Sequence, residues 1–421
     1  MLDFRKLSAD YQQALLRQVV PFWLNHSRDE QCGGYFDFLT SDGQVIEGDK
    51  IVTLQAQQVW AFTWLYNTFD GQPAWLDHAY KGATFLSEFA HDEKLNSYEQ
   101  LDRRGRPVAP AANVVASCSA VMAYAQLHRA TDDDGWAMLA KQVFSGLFRQ
   151  WETTHTELAQ TIGGYRQLRH LGEPVLLLKT LLEIRPLLDE ESWHEKIESV
   201  LHVLLREFLD RRTGILREYM LPDGSFINTP EGRRLNVGLT FQAANFLLDL
   251  CAESGNRKLA MQVASWCIRM SEVAWNELSG GLNQYADMKG QPLIFPDWNQ
   301  RWAWVQVEAL SALTKSYFQT HHPECPKWIK RIHDFTFQYF TDPKLSGWHL
   351  VIGQQNQPLL PAKAIATTGC FSLIRCLAET AQTLTRCAQL QPAGRHSRLF
   401  DDLPKGDQFP ATDFNNQKTN K

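Results

Sequence analysis

The chain has 421 residues, of which 44% are apolar and 21% charged, and carries a net charge of −5. That length and balance suit a soluble chain with a large core. With no basic patch, nucleic acid is excluded as an expected partner, and no run of about 18 apolar residues offers a membrane span.

Taken in order, residues 7–26 carry apolar side chains at spacings of three and four (Tyr11, Leu15, Leu16, Val19, Val20, Trp23), which predicts an amphipathic helix. The opening residues form no apolar run with a cleavage site, so no signal peptide is expected. Cys32-Gly33-Gly34-Tyr35-Phe36-Asp37-Phe38, with Asp42-Gly43 after it, reads as a short hairpin with a glycine turn at each end. Residues 51–69 are a helix apolar on nearly all sides, as expected of a buried inner element. Residues 77–89 read as an outer helix and 114–127 as an inner one of small side chains. Helices at 136–151, 174–188, 193–209, 238–251, 260–273, 302–318, 325–340 and 366–384 continue the alternation. From Gln391 the chain turns polar; this tail, 391–421, is expected to be disordered, while 1–390 reads as one domain.

The hairpin recurs. Thr213-Gly214 leads to Asp223-Gly224, Ser279-Gly280-Gly281 to Lys289-Gly290, and Ser346-Gly347 to Gln354-Gln355-Asn356. Weaker copies stand at Asn96-Ser97 to Arg104-Gly105 and at Ile162-Gly163-Gly164-Tyr165-Arg166. Six copies at intervals of roughly 50–67 residues, each flanked by two helices, predict an all-α (α/α)6 barrel: a toroid of six helix pairs with its hairpins on one face. The eight cysteines are scattered, mostly in apolar helical contexts, with no CxxC pair, and there is no HExxH. Reduced buried thiols in a cytoplasmic protein are therefore expected, with no metal site and no cofactor.

Several ordered stretches resemble the N-acylglucosamine 2-epimerase superfamily. They are Phe22-Trp23-Leu24-Asn25-His26 with Gly33-Gly34-Tyr35-Phe36, Leu54-Gln55-Ala56-Gln57-Gln58-Val59-Trp60, Gly105-Arg106-Pro107-Val108, Trp304-Val305-Gln306-Val307-Glu308 and Gly369-Cys370-Phe371 with Arg375-Cys376-Leu377. The resemblance implies a sugar-like small-molecule ligand at the barrel mouth and commonly a homodimer. It also implies proton transfer next to a carbonyl by two histidines, helped by an arginine and glutamates. Carried over by position, the arginine falls at Gln57, the first histidine at Leu239, its glutamate partner at Gln242, the second histidine at Ser372, and the glutamate after the family's serine at Ser117. Glu308, Trp304 and Arg301 remain of the set. Leucine has no proton to exchange and serine without a base is inert at neutral pH, so the two-histidine mechanism is expected to be lost or slow.

Glu308, on an inner helix, is the retained candidate acid or base; its plain alternative is a structural ion pair with Arg301. Asp297, in the loop before that helix, is a candidate second carboxylate or a helix cap. His170 and His349 are candidate acid–base groups near the mouth, or surface histidines. Tyr165 and Arg166 are candidates for holding a sugar or carboxylate. Gln57, Asn236, Gln242 and Gln306 are expected to point into one cavity with Leu239, Arg301, Trp304 and Ser372, binding hydroxyls without moving protons. Three readings follow: an enzyme with a rebuilt pocket, a non-catalytic binding or scaffold protein, and a glycoside hydrolase or lyase using Glu308 with Asp297.

Overall fold

A computed structural model describes residues 2–111, 114–156, 168–295 and 297–390. The last hairpin-like copy before residue 168, with Tyr165 and Arg166, and the tail 391–421 lie outside the described residues. Fourteen α-helices are found among the described residues. Six of them form the inner ring: α3 (Val52–Leu65), α5 (Val114–Thr131), α7 (Gly172–Ile184), α10 (Val237–Ser254), α12 (Ala303–Thr320) and α14 (Phe371–Leu390). Each packs on the next, and α14 returns to α3, which closes the circle. The outer layer is α1 (Phe4–Gln13), continued through a π-turn into α2 (Val20–His26), then α4 (Pro73–Phe89), α6 (Asp134–Thr156), α8 (Glu190–His202), α11 (Arg257–Ala274) and α13 (Cys325–Tyr339). The remaining helix, α9 (Pro230–Arg233), is a single turn in a loop. The expected (α/α)6 barrel is the observed fold.

The inner helices show why. α3 and α5 bury residues on every side, so neither has a face left for water. The outer helices α1 and α13 are amphipathic and bury one stripe each. Ring closure joins the chain's two ends: Ser8 Oγ on α1 donates to the Ala381 carbonyl of α14 at 2.9 Å.

The hairpins close on themselves by single bridges such as Arg28 to Tyr35, Leu39 to Val45, Trp275 to Leu282 and Thr341 to Trp348, and by the pairing of Leu209–Asp210 with Ile215–Leu216. Their strands, two or three residues long, also pair with the neighbouring repeat. Lys50–Ile51 pairs with Gln100–Leu101, Arg169–His170 with Tyr219–Met220, Arg234–Asn236 with Tyr285–Asp287, Arg301–Trp302 with Val351–Ile352, and Ala362–Ala364 with Leu39–Thr40, all antiparallel. A two-residue strand has too few ladder bonds to stand alone, so the loops knit into a belt around the mouth. The first turn of five of these loops opens on a carboxylate or amide that accepts from backbone N–H groups two to four residues on. These are Asp29, Asp92, Asp210, Asn276 and Asp342; four of the turns lead to glycine, and the Asp92 turn has Leu95 at positive φ instead.

Side chains from the inner helices then clasp the loops. Gln55 of α3 accepts from the Tyr35 N–H at 2.7 Å and donates to the Tyr35 carbonyl at 2.9 Å. Gln306 of α12 does the same to Leu282, at 2.9 and 2.8 Å. The glycine before each clasped residue has positive φ, and a Cβ on Gly34 would stand 2.6 Å from the Gln55 Oε1 atom. Gln306 is thus a loop clamp, with its amide spent on backbone. Arg301, expected in the pocket, is wholly buried and holds Ser279 Oγ, the Gly353 carbonyl and Asn356. It stands two residues before its inner helix, as Lys50 stands before α3, and Lys50 grips Asp29 and the Gly33 carbonyl. The ion pair expected between Arg301 and Glu308 does not form.

Candidate functional site

Because every long loop precedes an inner helix, the belt lies at the end where the inner helices begin. Their N-terminal N–H groups and positive dipole ends converge there, which favours anionic groups and developing oxyanions. A rim cleft of 290 Å³ lies among the loops, bounded by Phe38, Ile46, Ile51, Gln100 and Ala366.

Below the mouth, Glu308 of α12 is fully buried. Arg375, one turn into α14 and equally buried, reaches both its oxygens at 2.5 Å. Ser372 Oγ donates to Oε1 at 2.7 Å, Gln242 Nε2 to Oε1 at 3.1 Å, and Asn245 Nδ2 to Oε2 at 2.8 Å. Two of the positions the resemblance marks, Gln242 and Ser372, therefore meet on one carboxylate. Both Glu308 oxygens are engaged by the Arg375 guanidinium and by the three neutral donors. Asp297, the second carboxylate of the hydrolase reading, sits in a loop turn close enough to Tyr285 to raise that phenol further. Asp297 does not cap α12, since the cap residue, Trp302, makes no side-chain cap bond.

A second polar cluster lies higher, on the strands that open α7 and α10. Glu218 is buried and accepts from Arg234 at 2.5 and 3.0 Å, from Asn236 Nδ2 at 3.1 Å and from His170 Nε2 at 3.4 Å. Burial pushes its carboxyl up, yet the bonds from His170, Arg234 and Asn236 together with the Arg234 charge outweigh that and hold it below the usual range. The Arg234 guanidinium lies over the rings of Tyr285, Phe295 and Tyr219, at 4.5, 4.7 and 5.2 Å. Asn236 also caps α10, accepting from the Leu239 N–H at 3.1 Å. The His170 side chain is 36% exposed, and its Nδ1 accepts from the Gly172 N–H at 3.2 Å.

Gly172 locates His170 relative to the pocket. A Cβ there would meet the imidazole at 3.0 Å and Leu239 Cδ1 at 3.9 Å, so the two side chains flank one point. Trp304 covers Gly238 beside them, and Gln57 is half-buried in the second turn of α3. His349 stands apart. Its N–H donates to the Phe340 carbonyl, and it lies by Asp342 and Lys363, where burial lowers its basicity. The polar residues expected in one cavity thus divide: Gln242 and Ser372 serve Glu308, Asn236 serves Glu218 and the α10 cap, and Gln306 serves a loop. Glu218, Arg234, Arg375 and Asn245 were not singled out in the sequence. Their nearest signal is the pair of charges Glu218, inside the Gly214–Gly224 hairpin, and Arg234, after it. Among the described residues, no three His, Cys, Asp or Glu side chains gather to hold a metal ion, and no helix is long and apolar enough to cross a membrane.

Asp37, beside the clasp on Gln55, makes a pH test of the mouth. Burial pushes its carboxyl up to about 7, against bonds from Ile51 and Gln55 and the Lys50 charge. An acid whose folded value lies above its free value of 3.8 binds more protons when folded, so its contribution is greatest at low pH and is lost as pH rises through 7. Between pH 4 and 7, wild type is expected to lose stability relative to Asp37→Asn by about 1 kcal/mol per pH unit in urea denaturation. Parallel curves would remove the assignment.

Six helix pairs in a closed ring, with polar clusters at the start of the inner six, define an (α/α)6 barrel protein. The chain belongs to the N-acylglucosamine 2-epimerase (GlcNAc 2-epimerase) family, whose model matches residues 34–368. It is 28% identical to N-acylglucosamine 2-epimerase of Mus musculus over 389 residues, covering 90% of this chain and 92% of that one. In fold it is similar to a cellobiose 2-epimerase from Bacillus thermoamylovorans B4167, with TM-score 0.78, 19% identity and coverage of 90% and 99%. A D-mannose isomerase aligns with TM-score 0.77 and 15% identity over 90% of this chain and 97% of its own.

Proposed function

We propose that the protein binds a reducing sugar at the barrel mouth and moves a proton between C2 and C1, an aldose–ketose isomerisation, with His170 as acid–base group and Glu218 orienting it. One observation carries this reading: a part-exposed imidazole, backed by a buried carboxylate, beside Leu239. The resemblance puts a family base at position 239, so the imidazole stands next to the place that leucine has taken. That the ligand is a reducing sugar is supported by the mammalian N-acylglucosamine 2-epimerases, and a 2-hydroxyl aldose by the D-mannose isomerase, as their names state.

The number of bases decides between reactions. In a cis-enediolate isomerisation one base takes the proton from C2 and returns it to C1 on the same face, while a hydroxyl proton passes from O2 to O1. Epimerisation needs the proton returned to the opposite face, hence a second group. The other marked position, Ser372, has its hydroxyl committed to Glu308. Substrate would compete with the Gly172 N–H for His170 Nδ1, while Nε2–H stays on Glu218 and fixes the tautomer. The N-termini of α7 and α10 supply N–H dipoles for the enediolate.

Incubation in D2O with mannose, glucose, N-acetylmannosamine and cellobiose, followed at C2 by NMR, tests the proposal. Exchange with ketose formation is expected with mannose, glucose and cellobiose, which carry a 2-hydroxyl, and no ketose with N-acetylmannosamine, which does not; the exchange is expected to fall by about 10²–10⁴-fold in His170→Gln while binding persists. Exchange unchanged in that variant overturns the role of His170. A second reading, a non-catalytic sugar-binding protein, draws on the locked Glu308–Arg375 pair and the uncharged Leu239 and Ser372. Saturable sugar binding without exchange would favour it.

A further inference from the structure

The barrel opens a second time, at the end where the inner helices finish. There a cleft of 800 Å³ separates the ends of α3, α5, α7, α10, α12 and α14. That volume accommodates a mono- or disaccharide. No part of the mouth site contributes to it.

Its wall is built of buried opposite charges. Lys179 Nζ lies 2.7 Å from Glu183 Oε1, and Lys315 Nζ lies 2.7 Å from Asp249 and 3.0 Å from Glu379. Lys179, Glu183, Lys315 and Glu379 are each less than a tenth exposed. Glu379 Oε2 also accepts from Arg375 and Ser311, and Glu183 Oε2 from Gln126, with Arg129 at 3.5 Å. The three-donor ammonium groups of Lys179 and Lys315, with one and two of these partners, and the Glu379 Oε1 atom keep capacity for a ligand. Trp64 adds an aromatic wall.

The charge balance selects the ligand. Four cationic and four acidic side chains line the cleft, so the lining has no net charge. The C-terminal ends of six helices add partial negative charge, which disfavours phosphates and carboxylates. A hydroxyl group both donates and accepts, and it matches a wall on which carboxylates and ammonium groups alternate. We infer that this cleft is a second, non-catalytic binding site for a neutral polyhydroxylated ligand, a sugar or sugar alcohol. It goes beyond the mouth reading and does not depend on it.

Sorbitol separates the two sites, because it has no carbonyl for the mouth to act on. Calorimetric titration of the full chain is expected to show saturable sorbitol binding. Gln382→Tyr, which puts a ring into the cleft from α14, is expected to weaken it about tenfold or more. Glu253→Ala, at the exposed lip, is expected to weaken it with the melting temperature unchanged, which guards against a folding defect. Trp304→Ala, at the mouth, is expected to leave sorbitol binding as it was. Binding lost in Trp304→Ala and kept in Gln382→Tyr would overturn the site, as would no saturable binding. Inorganic phosphate binding more tightly than sorbitol, and lost in Gln382→Tyr, would overturn the ligand class.

Discussion

Glu308→Leu is expected to lower folding stability by about 3–5 kcal/mol, read as a fall in the urea midpoint. The size comes from what is left behind and not from the bond removed. Arg375 is wholly buried among α14, Phe246 and Phe371, and in the variant its charge would keep only Glu379, at 2.8 Å. Glu379 already serves Lys315, so it cannot replace the lost carboxylate in full. Ser372, Gln242 and Asn245 would lose an acceptor together. Removing both charges removes the cause, so Glu308→Leu/Arg375→Met should recover most of the loss. A single variant within about 1 kcal/mol of wild type would show that water compensates Arg375, and the pair would then be incidental.

Gly238→Ala is expected to disable the mouth at smaller cost to the fold. The new methyl would stand 2.1 Å from two carbons of the Trp304 indole, far inside contact distance. Gly238 lies in the first turn of α10, whose backbone is held by the Asn236 cap, so the ring must move instead. Overpacking of this kind costs about 1–3 kcal/mol. The displaced indole would enter the space beside Leu239 and His170, and sugar binding at the mouth should fall by about tenfold or more. Gly146→Ala is the control, since a Cβ there meets nothing within 4 Å. Sugar binding unchanged in Gly238→Ala would separate Trp304 from the ligand site.

The two buried clusters show where reading the chain alone stopped. Glu308 was legible as an expensive buried carboxylate on an inner helix, because a charge inside an apolar run needs a partner. Its partner was not legible: Arg375 lies 67 residues on, and only closure of the ring sets α12 against α14. Nearby Arg301 was the natural guess, but the strand before an inner helix places that guanidinium under its own loop. Gln306 looked like a pocket amide and is a loop clamp, because one helical turn decides whether a side chain faces the axis or the belt.

What the sequence by itself determined is the number of helix pairs, the inner or outer place of each, and the glycine turns between them. Periodicity within each segment and the positive φ of residues such as Gly34 and Gly281 are local properties, carried by the residues concerned. The tertiary structure alone decided which charges meet, that His170 stands beside Leu239 with Glu218 behind it, and that the strands pair across repeats. Those contacts join segments tens to hundreds of residues apart, and a side chain's partner there depends on how the whole ring closes.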